Sequence, residues 1–168
     1  MSNVRPHVTA TAAPVTLREI TAETVRAVIN LSVAGSQKGF VAPNAISLAQ
    51  ALFAPEAWYR AIYLGEELAG FVMLQDESLL SPPPHQPEVS VWRFMIDAKF
   101  QSRGIGRAAL LRVIEHVRKK NVFAKLELSF VPGAGCPELF YLGLGFRHTG
   151  RLAGTEVVLE FPFAQNAA

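Results

Sequence analysis

The sequence predicts one mixed α/β domain, and three observations carry that expectation. Half of the 168 residues are hydrophobic and only 18% are charged, which supplies enough apolar surface for a full core. Stretches in which apolar residues alternate, the period of a strand, are interleaved with stretches in which they recur every three to four positions, the period of a helix. Glycine and proline punctuate the joins. The order reads β-α-α-β-β-β-α-β-α-β-β with no internal repeat, over 15–163, and the small, polar segments 1–14 and 164–168 are expected to be flexible tails.

Taken in order, Val15 to Ile20 alternates as a strand, and Thr21 is placed to cap a helix running to about Ser32, with Val25, Val28, Ile29 and Leu31 as its apolar stripe. After a Gly/Pro-marked stretch from Ala34 to Pro43, Ser47 is placed to cap a short helix ending near Pro55. Trp58 to Leu64 and Leu68 to Gln75 flank Gly65-Glu66-Glu67 as a hairpin. Ser81-Pro82-Pro83-Pro84 must be a loop, because consecutive prolines supply no ladder donors. Val89 to Ile96 reads as a long strand. Gly104 to Lys119 reads as a helix that turns Ile105, Ala108, Leu111, Ile114 and His116 or Val117 inward. Ala124 to Phe130 is a strand, Pro137 to Leu142 a short helix stopped by Gly143 and Gly145, and Phe146 to Thr149 and Glu156 to Phe161 are the last strands.

Composition excludes several classes. Sixteen basic and fourteen acidic residues leave a net charge of +2, which argues against a nucleic-acid coat. A single cysteine excludes a disulfide framework and a multi-cysteine metal site. The first fourteen residues lack the apolar core of a signal peptide, and no apolar run reaches the roughly 18 residues of a membrane span. A soluble, cytoplasmic protein with no metal, membrane or nucleic-acid partner is expected. Arg118-Lys119-Lys120 falls at a helix C-terminus, where cations favour the helix dipole.

The most informative segment is Gln101-Ser102-Arg103-Gly104-Ile105-Gly106-Arg107, between a strand and the longest helix. Glycines let backbone approach a ligand, and the free N–H groups of a helix's first turn, with flanking arginines, suit a pyrophosphate. A nucleotide-triphosphate loop does not fit, since one residue rather than four separates Gly104 from Gly106 and no Lys-Ser/Thr pair follows. A dinucleotide fingerprint matches Gly104 to Ala109 with Glu127 downstream, but the polar stretch Asp97 to Arg103 separates strand from glycine and too little chain follows for a doubly wound sheet. A glycine-containing helix start without a ligand stays open beside these.

Ile96, Gln101, Arg103, Gly104, Ile105 and Gly106 together resemble the acyl-CoA signature of the GNAT superfamily of N-acetyltransferases. Leu139-Phe140-Tyr141-Leu142-Gly143-Leu144-Gly145-Phe146 resembles the later helix-strand element of the same superfamily, in the matching order. Phe40-Val41-Ala42-Pro43-Asn44 and Trp92 to Asp97 resemble more narrowly the bacterial diamine (spermine/spermidine-type) N-acetyltransferases. One departure is that the family's cofactor-contacting asparagine near position 134 is replaced by Ala134. The resemblance implies a mostly antiparallel central sheet of seven strands with four helices, splayed at an acetyl-CoA site, and a homodimer as a possible assembly. It implies that backbone groups of Phe94, Met95 and Ile96 bind the pantetheine arm. Gln101, Ser102, Arg103, Gly104, Ile105, Gly106 and Arg107 would hold the pyrophosphate, and Tyr141 would be the general acid beside the sulfur.

The amine must lose a proton before it attacks. Alternation puts Glu88, Ser90 and Trp92 on one strand face, where superfamily members often carry a glutamate, so Glu88 is the base candidate, with His85 as a substitute. Cys136 is not needed for direct transfer. Glu66, Glu67, Asp76, Glu77 and Glu88 fall in a stretch without Lys or Arg, followed by a basic stretch from Arg93 to Lys125. That asymmetry fits a small cationic acceptor such as a polyamine beside an anionic cofactor. A non-catalytic acyl-CoA-binding module, or an enzyme acting on a peptide amine or an aminoglycoside, remain the alternatives.

Overall fold

The computed structural model describes residues 13–164. Of the expected tails only residues 13, 14 and 164 fall within it; the others lie outside the described residues. The expected class is found: one mixed sheet of seven strands with four helices. The strands are β1 (Val15–Arg18), β2 (Ala57–Leu64), β3 (Glu67–Asp76), β4 (Val89–Ile96), β5 (Lys125–Phe130), β6 (Arg147–Ala153) and β7 (Glu156–Pro162). The helices are α1 (Val25–Ile29), α2 (Asn44–Ala51), α3 (Ile105–Lys120) and α4 (Glu138–Leu142). Sheet order is β1-β2-β3-β4-β5-β7-β6, antiparallel at every junction except β4 with β5.

Alternation along β3 builds a core on each face. Val72 and Leu74 point to one side, where they join Ile105, Ala109, Leu110, Val113, Ile114 and Val117 of α3. Phe71 and Met73 point to the other, where they join Val28, Ala61 and Met95 under α1 and α2. At Gly70 the two strands run so close that a Cβ would lie 2.4 Å from the Met95 carbonyl oxygen, so only glycine fits there.

Several local expectations are corrected. The first helix is shorter than Thr21 to Ser32, because residues 22–24 form a turn; the Thr21 carbonyl, not its side chain, accepts from Val25 N at 2.9 Å, while Thr24 Oγ1 accepts from Thr21 N at 2.9 Å. Ser47 does not cap the second helix. It is buried within α2, which starts directly after Pro43. Leu111 is 45% exposed rather than inward, because the buried stripe of α3 steps through 105, 109, 113 and 117. The sixth strand runs on to Ala153 as an exposed edge.

His116, expected in the core, is half-buried, stacked on Trp58 at a 4.3 Å centroid separation, with Nε2 lacking any partner. Burial, then nearby Lys120 and Arg60, hold its pKa below the ordinary value, with Asp76 opposing and Lys119 adding to the depression. The neutral ring therefore belongs to the folded state. Its contribution to stability is complete above the unfolded value of about 6.5 and is lost as pH falls through the lower folded value. Thermal melting between neutral and mildly acidic pH should show a steeper loss for the wild type than for His116→Gln; parallel curves would refute this.

Candidate active site

Among the described residues, the one parallel junction of the sheet is also its shortest. β4 and β5 pair at Ser90 with Glu127 and Val91 with Leu128, and no further. Just beyond, the β3–β4 register shifts: Leu74 faces Val91 and Met73 faces Arg93, leaving Trp92 as a bulge that bends β4 away. Beyond Val91 the strand has no ladder partner on its β5 side and borders a gap, as the expected splaying requires.

Two cavities flank that gap. One, of about 480 Å³, runs from Phe94, Met95 and Ile96 to the loop at the start of α3 and is covered by Val33, Gln37, Phe40 and Val41. The other, of about 770 Å³, lies between residues 38–43, β4, β5 and the β6–β7 turn. Phe40, Val41, Phe94 and Tyr141 line both.

The loop at the start of α3 has the geometry of an anion cradle. Ser102 and Gly104 adopt positive φ values of 60° and 76°. The first helical bond is from Ala108 N–H to Gly104 O at 3.1 Å, so the N–H groups of Ile105, Gly106 and Arg107 have no acceptor within the helix. A Cβ on Gly104 would meet nothing within 4 Å, and at Gly106 it would reach only ordinary contact, 3.4 Å from Phe140. Gly104 suits its positive φ, and the free N–H groups of this first turn lie in the cavity-lining loop. Gln101, Ser102, Gly104, Ile105, Gly106 and Arg107 line the first cavity. Arg103 does not line it, and its guanidinium sits over the Phe100 ring.

Two of these side chains are already engaged. Gln101 Nε2 donates to Ile96 O at 2.9 Å and to Gln37 Oε1 at 2.7 Å, which ties the end of β4 to the covering segment. Arg107 donates to Gly143 O at 2.9 Å. Asp97, which the sequence reading did not single out, has a related role: its carboxylate accepts from Ser32 N and Lys99 N, each at 3.0 Å. Buried Asn44 donates to Val28 O at 2.9 Å and joins α1 to α2. The signal for Asp97 was present, since an aspartate directly after a strand commonly accepts from the backbone of the next turn.

Tyr141 is 8% exposed and packs against Phe130, Phe140 and Phe146. Burial pushes its hydroxyl up to about 12, so it keeps its proton throughout the working range of an enzyme. The base candidates lie elsewhere. Glu88 falls just before β4, its N–H donates to Glu77 Oε2 at 2.9 Å, and it lines a smaller pocket with Glu56 and Glu77. That pocket shares Gln75, Ser90 and Glu127 with the larger cavity. His85 borders another depression, beside Arg118 and Asn121, which Glu88 also lines.

The other acids of the acidic segment also lie away from Tyr141. Glu66 pairs with Arg18 at 2.9 Å, and fully buried Asp76 pairs with Lys120. The carboxylates that line a cavity with Tyr141 are Glu127, paired with Arg151 and Lys125, and Glu156, bonded by the Ser129 hydroxyl. Because Glu127 is so paired and the sheet is mostly antiparallel, the dinucleotide alternative fails on both fold and ribose contact.

A sheet opened between two strands, with a glycine-containing helix start and a buried tyrosine lining the same cavity, is the architecture expected of an acyl-CoA transferase. The sequence model of the Acetyltransferase (GNAT) family matches residues 29–146, and the chain belongs to that family. It is thus an enzyme of the acetyl-CoA-dependent N-acetyltransferase class. Among solved structures it is similar to the ribosomal-protein alanine N-acetyltransferase of Escherichia coli, at 16% identity and TM-score 0.65, with 92% of this chain and 99% of that one covered. It is similar to the PaiA N-acetyltransferase of Thermoplasma acidophilum in complex with coenzyme A, at 14% identity and TM-score 0.64, covering 89% and 99%. Arabidopsis thaliana Naa50, in complex with the bisubstrate analogue CoA-Ac-MVNAL, is similar at 19% identity and TM-score 0.64, again covering 89% and 99%. At these identities the likeness is one of fold. Among curated proteins, none matches the sequence. No helix of the described residues is long and apolar enough to cross a membrane.

Proposed function

We propose that the chain moves an acetyl group from acetyl-CoA, held in the smaller cavity, directly to a primary amine that enters through the larger one. The observation that carries this reading is the position of Tyr141 in the wall common to both cavities. The N–H groups of Ile105, Gly106 and Arg107 hold the pyrophosphate, and the open edge of β4 at Phe94 to Ile96 holds the pantetheine arm and faces the thioester oxygen.

The amine nitrogen attacks the acetyl carbon, the C–S bond breaks, Tyr141 Oη–H gives its proton to the sulfur as negative charge gathers there, and Tyr141 regains a proton from the nitrogen, through water, as the amide forms. Burial disfavours a charged thiolate as it disfavours a tyrosinate, so donor and acceptor stay matched in this setting. Glu88 takes the ammonium proton through water past Ser90, since the pocket that it lines opens on the acceptor cavity at Gln75, Ser90 and Glu127.

A polyamine such as spermidine or spermine is the acceptor read from the acidic segment. Most of those carboxylates are engaged elsewhere, and that weakens the support from charge for a polyamine over other small amines. The deciding assay is thiol release from acetyl-CoA by the purified protein against polyamines, aminoglycosides, amino acids and peptide N-termini. Release with a small amine, slowed in Glu88→Gln most strongly at low pH, is the expected result. Binding of acetyl-CoA without release for any amine would make the chain a non-catalytic acyl-CoA module.

A further inference from the structure

We infer that the acceptor carries a carboxylate as well as its reactive amine, an amino-acid-like zwitterion, and that Arg93 is the residue that receives the carboxylate. The inference rests on the reading that the larger cavity receives the acceptor. Arg93 follows the bulged Trp92 and lines that cavity together with Tyr141.

What sets Arg93 apart among the cations that line this cavity is a buried donor with no acceptor. Among the described residues no carboxylate lies within ion-pair distance of it. Its Nη1 donates to Trp92 O at 2.8 Å and its Nη2 to Gln50 Oε1 at 3.3 Å, both neutral acceptors. The Nε atom is buried with no partner at all. A guanidinium has five N–H donors in a planar fork that matches a carboxylate, and leaving one buried and unbonded is unfavourable. Rotation of the side chain toward an anion in the cavity removes that orphan. Burial also holds the guanidinium below its ordinary pKa, with only Glu156 opposing, as expected of a cation whose charge is not locally balanced.

The other charges of the cavity are differently placed. Arg151 and Glu127 satisfy one another, Lys125 adds a second cation to Glu127, and Lys38, at the rim segment 38–43, is in no ion pair among the described residues. Glu156 is held only by a serine hydroxyl and stays available to an ammonium. The open Glu156 carboxylate and the open Arg93 guanidinium, with Lys38 as a further cation, complement a molecule that carries both charges. A polyamine, cationic at each end, would meet Arg93 with like charge.

The test uses matched acceptors in the thiol-release assay: leucine, methionine and phenylalanine, each beside its carboxamide and its decarboxylated amine. The free amino acids should show kcat/KM at least about tenfold above both counterparts, with the difference mainly in KM. Arg93→Gln should bring the ratio close to one, and Arg93→Lys should restore part of it. Calorimetric binding of acetyl-CoA checks that the variants are folded; if they are not, the wild-type ratio decides alone. Equal or better use of the uncharged counterparts, a ratio unaltered in Arg93→Gln, or a spermidine or peptide preferred over every amino acid would overturn the inference and leave the proposed function standing. Absence of release with every amine would instead overturn the function itself.

Discussion

Replacing Tyr141 by Phe is expected to lower kcat at least about 100-fold, within the range that a positioned proton donor contributes, while acetyl-CoA binding changes little. The exchange removes one oxygen from a side chain that is 8% exposed and leaves its ring packed on Phe130, Phe140 and Phe146, so the fold has no reason to respond. The N–H groups of Ile105, Gly106 and Arg107 at the start of α3 are untouched by the exchange. Because burial pushes the Tyr141 hydroxyl up to about 12, its ionisation should not appear as a basic limb of the pH–rate profile at ordinary assay pH. Unchanged turnover in the variant, measured by thiol release, would remove Tyr141 from the chemistry and with it the reading of the shared wall.

The largest effect on stability is expected at Lys120. Its ammonium is bound to the Asp76 carboxylate, which is fully buried, and donates also to Ser78 Oγ at 3.1 Å. Asp76 further accepts from Ser78 N at 3.0 Å. Lys120→Met leaves a buried carboxylate without its cation, a change that typically costs about 3–5 kcal/mol. For a domain of this size that corresponds to a fall in Tm of roughly 10 °C. The double variant Lys120→Met/Asp76→Asn removes both charges and should recover much of the loss, because the penalty comes from the orphaned charge rather than from the missing attraction. Thermal melts of the single and double variants decide it: equal Tm for the single variant and the wild type would mean that water already reaches the pair.

The fold was largely legible because its signals are local. Alternation marked β1, apolar runs on either side of Gly65-Glu66-Glu67 marked β2 and β3, and the glycine loop marked the start of α3. The errors fell where local signals compete. Ser47 has a capping side chain but lies within α2, since Pro43 had already set the helix start. Leu111 is hydrophobic but falls between the buried rows of α3, a matter of phase that a few residues of periodicity do not fix. The candidate site was legible at its backbone, where glycines and the strand end announce themselves. It was less legible at its charges. Nothing local in Asp76 or Glu66 reveals that Lys120, 44 residues away, or Arg18, 48 residues away, claims each carboxylate. Reading those acids as an acceptor surface treated neighbours in sequence as neighbours in space, whereas Arg93 became conspicuous only once its surroundings were known.

The junction at which β4 and β5 share only two residue pairs divides the sheet into β1-β2-β3-β4 and β5-β7-β6. Ladder hydrogen bonds do little to unite these halves. The covalent path between them is α3, whose last residue, Lys120, is fastened to Asp76 at the end of β3. A molecule lying along the open edge of β4 therefore spans a seam in the architecture, and its binding energy becomes cohesion between two half-sheets. By linkage, saturation with the donor raises the resistance of the whole chain to unfolding, so that substrate supply and lifetime of the folded protein are physically coupled.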